Sequence, residues 1–168
     1  MHSPITDDQF SALIDEHKGI IFKIANAYCH NTEDRKDLVQ EIAVQLWKSH
    51  GKYDPRFKLS TWIYRIALNV AISAYRRERR CRERVSPLEE IIVEPAAEQE
   101  TPDPKIATLH RIIAQLDELN RALMLLYLDG NSYRDIGGIL GLTETNVATK
   151  INRLKLKIKK QFDQTNSD

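Results

Sequence analysis

Apolar residues recur at helical spacing through most of the chain, and strand-like alternation is weak throughout. Phe10, Leu13, Ile14, Ile20, Ile21, Ile24 and Ala25 mark a long first helix, opened by Thr6 and Gln9 at capping-box spacing. Glu33 to Ser49 reads as a second helix, with Leu38, Ile42 and Leu46 toward a core and Asp37, Gln40, Glu41, Val44 and Trp47 on or near the other face. After Asp54-Pro55 and a loop at Phe57-Lys58-Leu59, Ser60 or Thr61 is expected to cap a third helix running toward Arg84. Ile63, Ala67, Val70 and Ala74 form its apolar stripe, and Arg65, Asn69 and Arg76 lie roughly opposite.

The second half carries a shorter rhythm. Ser132, with Asp135 three residues on, is a natural N-cap for a helix whose apolar positions are Tyr133, Ile136, Ile139 and Leu140. Gly141 breaks that run where a tight turn needs positive φ, and Thr143 caps the next helix. There Val147, Ile151, Leu154 and Ile158 form one stripe, while the opposite face carries Thr145, Thr149, Asn152 and Arg153 with Lys150 at its margin. Such side chains reach base edges and phosphates when a helix enters the major groove. An ordinary helical hairpin has the same local spacing. The run of Lys150, Arg153, Lys155, Lys157, Lys159 and Lys160, with no acidic residue between them, tips the reading toward DNA; Leu156, on the outward face, fits neither account. The expected fold is all-α: two small helical domains joined by an acidic, Pro-containing linker, the C-terminal one a helix-turn-helix.

Charge sharpens this division. The net charge of +1 averages opposed blocks. Arg76, Arg77, Arg79, Arg80, Arg82 and Arg84 face only Glu78 and Glu83, whereas the stretch from Leu88 to Pro104 has Glu89, Glu90, Glu94, Glu98, Glu100 and Asp103 with no basic residue. Pro87, Pro95, Pro102 and Pro104 also crowd there, so the expected organisation is a domain at 1–84, a linker at 85–104 and a second domain at 105–168.

Other classes fall away. No apolar run reaches the ~18 residues of a membrane span, and the N-terminus lacks the basic-then-apolar pattern of a secretory signal, so a cytoplasmic protein without membrane insertion is expected. Cys29 and Cys81 are too few and too isolated for a disulfide framework or a zinc site. No glycine-rich phosphate loop, metal-ligand cluster or nucleophile–base pair stands in the sequence, so no catalytic residue, metal or cofactor is expected.

Two surfaces of the first domain carry candidate chemistry. Trp47 beside Val44 on a polar face either docks a protein or packs under the next loop. Phe57, Trp62 and Tyr64 close to basic residues either stack unpaired bases or fill the core.

Against these residues the chain resembles a bacterial sigma factor of the extracytoplasmic-function type, the minimal two-domain form of the sigma-70 family (group 4), over nearly its whole length. Asp37-Leu-Val-Gln-Glu with Leu46-Trp47 is similar to region 2.2. The resemblance implies that Asp37, Leu38, Gln40, Glu41, Val44 and Trp47 dock on the clamp helices of core RNA polymerase. Phe57-Lys-Leu-Ser-Thr-Trp-Ile-Tyr-Arg-Ile-Ala-Leu-Asn resembles regions 2.3 and 2.4. It implies that Phe57, Lys58, Leu59 and Ser60 line a pocket for a flipped base of the promoter −10 element, with Asn69 beside it and Tyr75-Arg76-Arg77 on the backbone phosphates; Arg65 and Arg80, on the basic face of the same helix, complete the candidate −10 set. The run from Leu119 to Leu142 is close to region 4, which reads the −35 element. It implies that Thr149, Asn152 and Arg153 are the readers, with Asn146 a further contact; Ser132, Tyr133, Thr145 and Lys150 complete the candidate −35 set.

Two departures limit the transfer. Gly137-Gly138 replaces the family's usual Ala and acidic residue, at about 1 kcal/mol of helix propensity per glycine. Thr143-Glu144-Thr145-Asn146 differs from the common Pro-x-Gly-Thr opening, so base preference does not carry over. The implied partners are core RNA polymerase, promoter DNA and an anti-sigma factor, and in the family the linker threads toward the polymerase cleft; charge alone makes it a solvated spacer. A dimeric helix-turn-helix regulator acting without polymerase, or a helical adaptor binding only proteins, are the competing readings.

Overall fold

The computed structural model describes residues 6–84, 103–165 and 167. These form seven α-helices and one 3₁₀ turn, with no strand among the described residues. The chain divides into two compact units, Met1–Ala96 and Ala97–Asp168. The division falls inside the expected linker, whose acidic and proline-rich positions from 85 to 102 lie outside the described residues.

The first unit is a three-helix assembly of α1 (Asp7–Tyr28), α2 (Thr32–Ser49) and α3 (Leu59–Arg84), with a 3₁₀ turn at His50–Lys52. Thr6 and Gln9 close the capping box on α1, and the Asn31 side chain caps α2 by accepting from the Asp34 amide at 2.8 Å. Each helix packs on both others. Ile21, Ile24 and Tyr28 of α1 meet Leu38, Ile42 and Leu46 of α2 and Ile63, Ala67 and Leu68 of α3 in a closed core. Fully burying one such Ile or Leu contributes about 1.5–3 kcal/mol, which offsets the charged outer faces of these helices.

Two expectations for α3 are corrected. It begins at Leu59, one residue before Ser60, and the Lys58 carbonyl accepts its first helical hydrogen bond from the Trp62 amide at 3.2 Å. Ser60 and Thr61 therefore sit in its first turn and do not cap it. Its buried positions are Ile63, Tyr64, Ala67, Leu68 and Ala71, whereas Val70 and Ala74 are only half-buried. A helix wedged against two partners buries a wider arc than the single stripe of a surface helix, and here the arc turns toward Tyr64 and Leu68.

The second unit comprises α4 (Pro104–Ala114), α5 (Glu118–Leu128), α6 (Tyr133–Leu140) and α7 (Glu144–Thr165). Pro104 occupies the first turn of α4, where its missing amide costs nothing, and Asp103 caps it. Helix α7 packs on α4, α5 and α6 through Val147, Ile151, Leu154 and Ile158, the stripe read from the sequence. Arg121 of α5 is buried at 2 % exposure. Its guanidinium donates to the carbonyl oxygens of Ala114 and Leu116 at 2.7 and 2.9 Å, fixing the α4–α5 turn. Periodicity gave no signal for this role, because an arginine at an apolar position is read as an interruption.

The α6–α7 connection is a tight turn. Ser132 caps α6 by accepting from the Asp135 amide at 3.0 Å, and Gly141 ends it at φ 71°. The Leu142 amide then returns to the Gly137 carbonyl at 2.9 Å. That return brings backbone so close that a Cβ on Gly137 would lie 2.5 Å from the Leu142 oxygen, while one on Gly138 meets nothing within 4 Å. The two glycines should respond oppositely to substitution. Gly137→Ala must displace backbone and is expected to destabilise this unit by about 1–3 kcal/mol in spite of its better propensity. Gly138→Ala should stabilise it by about 0.5–1 kcal/mol. Amide exchange in α7 reads both, faster than the parent for the first and slower for the second; equal shifts would refute the turn geometry.

Candidate nucleic-acid interface

Helices α2 and α3 flank an open groove of about 610 Å³ lined by Glu41 and Gln45 of α2 and by Ile66, Asn69, Val70, Ser73, Arg76, Arg77 and Arg80 of α3. It gathers Asn69, Arg76, Arg77 and Arg80 from the expected −10 set. It also brings in Glu41, which the sequence placed with a different surface. Arg77 donates to the Glu41 carboxylate at 3.1 Å, so the expected docking face of α2 and the basic face of α3 share an ion pair. Further along, Arg79 pairs with Glu83 at 3.3 Å and Arg82 with Glu78, each one helical turn apart. The arginine run is thus partly neutralised within its own helix. Arg65 is exposed on α3 and does not line the groove.

On α2, Asp37, Gln40, Glu41, Val44 and Trp47 are all exposed, Val44 at 51 % and Trp47 at 38 %. The Trp47 ring stacks on His50 at 4.9 Å and meets Phe10 edge-on at 5.0 Å, so it is anchored on one side and open on the other. Leu38 is corrected: at 3 % exposure it belongs to the core and offers no docking surface. Its position follows from the i, i+4 step to Ile42, which is fully buried.

The loop before α3 is tightly closed. Phe57 projects at 63 % exposure, with Lys58 exposed and Leu59 and Ser60 half-buried in the first turn of α3. The Phe57 amide donates to the Asp54 carbonyl at 3.1 Å, and the Tyr53 hydroxyl donates to the Phe57 carbonyl at 2.9 Å. Arg56 forks onto the Asp54 carboxylate at 2.6 Å, which raises the guanidinium pKa further. Trp62 is half-buried and tilted against Tyr53 at 5.4 Å, so it supports the loop, while Tyr64 is buried in the core.

In the second unit Thr145, Asn146, Thr149, Asn152 and Arg153 all lie exposed on α7, with Lys150 half-buried at their edge. The Asn146 amide donates to the Thr143 hydroxyl at 3.2 Å as the cap, and the Thr149 hydroxyl donates to the Thr145 carbonyl at 3.0 Å. Ser132 is exposed and Tyr133 half-buried at the start of α6. Lys155 turns away from the basic run: its ammonium lies 5.2 Å from the Tyr127 ring centre and 3.3 Å from the Tyr127 hydroxyl.

Burial, with Asp34 and Glu78 nearby, pushes the Cys29 thiol up to about 11, so it stays protonated at neutral pH. No group of three or more His, Cys, Asp or Glu among the described residues is placed to hold a metal ion, and no described helix is long and apolar enough to cross a membrane.

An all-α chain with an arginine-lined groove in one unit and a helix-turn-helix with a polar outer face in the other defines a DNA-binding protein of two modules. The sigma-70 region 2 family matches residues 13–81 and the sigma-70 region 4 family matches residues 106–158. The chain belongs to the sigma-70 family, in its extracytoplasmic-function class: it is a promoter-specific transcription initiation factor that binds RNA polymerase, and not an enzyme. It is 25% identical over 171 residues to the ECF RNA polymerase sigma factor SigW of Bacillus subtilis, covering 92% of this chain and 89% of that one. It is 25% identical over 166 residues to the RNA polymerase sigma factor CnrH of Cupriavidus metallidurans, covering 92% of this chain and 86% of that one. The fold matches the sigma factor RpoE of Bartonella quintana, solved with the anti-sigma factor NepR, at a TM-score of 0.71 and 18% identity over 90% of this chain and 94% of that one.

Proposed function

We propose that residues 1–84 bind core polymerase and the −10 element, that 105–168 bind the −35 element, and that 85–104 tether the two. On this reading Asp37, Gln40, Glu41, Val44 and Trp47 dock on the polymerase clamp, with Leu38 fixing the helix from beneath. Phe57, Lys58, Leu59 and Ser60 receive a base extruded from the −10 duplex, which promotes melting by trapping the open form. Arg65, Asn69, Arg76, Arg77 and Arg80 hold the adjoining strand, since phosphates need cations and an unpaired base needs an aromatic face. Thr145, Asn146, Thr149, Asn152 and Arg153 read the −35 major groove, with Ser132, Tyr133 and Lys150 on its phosphates.

The observation that carries this reading is the outward projection of Phe57, at 63 % exposure, on a closed loop beside a basic helix. A dimeric regulator has no use for a second DNA module built to present an aromatic to single strands, and family membership disfavours that alternative. An anti-sigma factor covering these surfaces fits as a partner, by likeness to RpoE in its complex with NepR. The cytoplasm, where polymerase works, is the expected location.

Run-off transcription tests it: the protein is mixed with sigma-free core polymerase and genomic fragments of its own organism. Defined transcripts that require the protein are expected, and their starts give the promoter elements. Tight, salt-sensitive DNA binding without any transcript would leave the regulator reading standing instead.

A further inference from the structure

We infer that Tyr53 is a positioning residue for −10 capture: its hydroxyl pre-forms the loop that presents Phe57. This rests on the reading that Phe57 meets an unpaired promoter base. Tyr53 is tied through both its backbone and its side chain. Its amide donates to the His50 carbonyl at 3.1 Å, closing the 3₁₀ turn that follows α2, and its hydroxyl donates across the loop to the Phe57 carbonyl at 2.9 Å. Its ring lies against Trp62 in the first turns of α3, 5.4 Å between centroids and inclined by 55°. Two further bonds tighten the same loop, from the amides of Phe57 and Arg56 to the carbonyl and carboxylate of Asp54 at 3.1 and 3.0 Å.

The physical reason lies in the exposure of Phe57. An aromatic held at 63 % exposure gains little from folding, so nothing in the apolar packing dictates where it points. Backbone hydrogen bonds must fix it. A loop already in its binding geometry loses less conformational freedom when the base arrives, and affinity rises accordingly. The Tyr53 hydroxyl is the bond that reaches the Phe57 peptide from outside the local turn, and its removal leaves the ring packing on Trp62 in place.

The test compares Tyr53→Phe, Phe57→Ala and the parent as holoenzymes. The probe is a labelled single-stranded oligonucleotide selected on the parent holoenzyme from a random pool. Phe57→Ala should lose binding by more than 10-fold, and Tyr53→Phe should lose it by roughly 3- to 10-fold, the effect of one hydrogen bond. Core affinity and the thermal midpoint of Tyr53→Phe should match the parent. If Phe57→Ala binds normally, the −10 assignment itself is wrong. If Phe57→Ala loses binding while Tyr53→Phe keeps it, the inference about Tyr53 is overturned. If Tyr53→Phe also lowers core affinity and melting temperature in proportion, its role is structural and the inference fails on that ground.

Discussion

Val44→Asp is expected to weaken binding to core RNA polymerase by roughly 10- to 100-fold, about 1.4–2.7 kcal/mol, with an unchanged thermal midpoint. Val44 is 51 % exposed on α2, turned away from the buried Leu38, Ile42 and Leu46, so the fold has no stake in its side chain. A carboxylate there must be desolvated, without a partner, when an apolar surface closes over it. The neighbouring residues make poorer probes. Trp47→Ala would also remove ring contacts to Phe10 and His50, confounding docking with stability. Reversing Glu41 would set a lysine against Arg77, its ion partner at 3.1 Å, and so disturb the groove proposed for DNA together with the proposed docking face. Competition for core between the variant and a labelled parent reads the effect, and run-off yield should fall with it. Unchanged affinity for core would remove Val44 from the interface and take the α2 assignment with it.

How far the sequence foretold this follows from the reach of each signal. Periodicity located α1, α2 and α7 because each turns a continuous apolar face to the core of its own unit, and local capping grammar placed Thr6, Ser132, Gly141 and Thr143 correctly. It failed where burial depends on more than one neighbour. Tyr64 and Leu68 are buried because α3 is wedged between two helices, and a single stripe drawn through Val70 and Ala74 misses that. Arg121 was invisible for a related reason: its burial is rewarded by two carbonyls at the end of α4, which no spacing rule on α5 encodes. The candidate surfaces show the same limit. Exposed positions on α7 follow from helical geometry alone, whereas the Glu41–Arg77 pair joins residues 36 apart, and Tyr53 acts through a loop closure that has no sequence period. Gly137 was legible only as a weak helix former; the close approach of the Leu142 carbonyl is a tertiary fact.

Arg153→Ala is expected to weaken −35 recognition by about 1–3 kcal/mol and to relax preference at one base pair, leaving core affinity intact. Among the outward side chains of α7, the Thr149 hydroxyl is already engaged on the Thr145 carbonyl. Arg153 is exposed one turn further on, and a guanidinium offers two parallel donors matched to the O6 and N7 acceptors of guanine. Lys157 provides the contrast, being exposed on the same helix with a single point charge suited to phosphate. Its replacement by Ala should weaken binding similarly for all sequences and reduce the salt slope by about 1, whereas Arg153→Ala should change the ranking of base variants. Lys155 would mislead in this role, since its ammonium is held over the Tyr127 ring. Titrating promoter duplexes that differ at single −35 positions, across a series of salt concentrations, separates the two kinds of contact. Equal losses on every duplex for Arg153→Ala would make it another phosphate ligand and shift base reading toward Asn152 and Thr149, the exposed residues beside it.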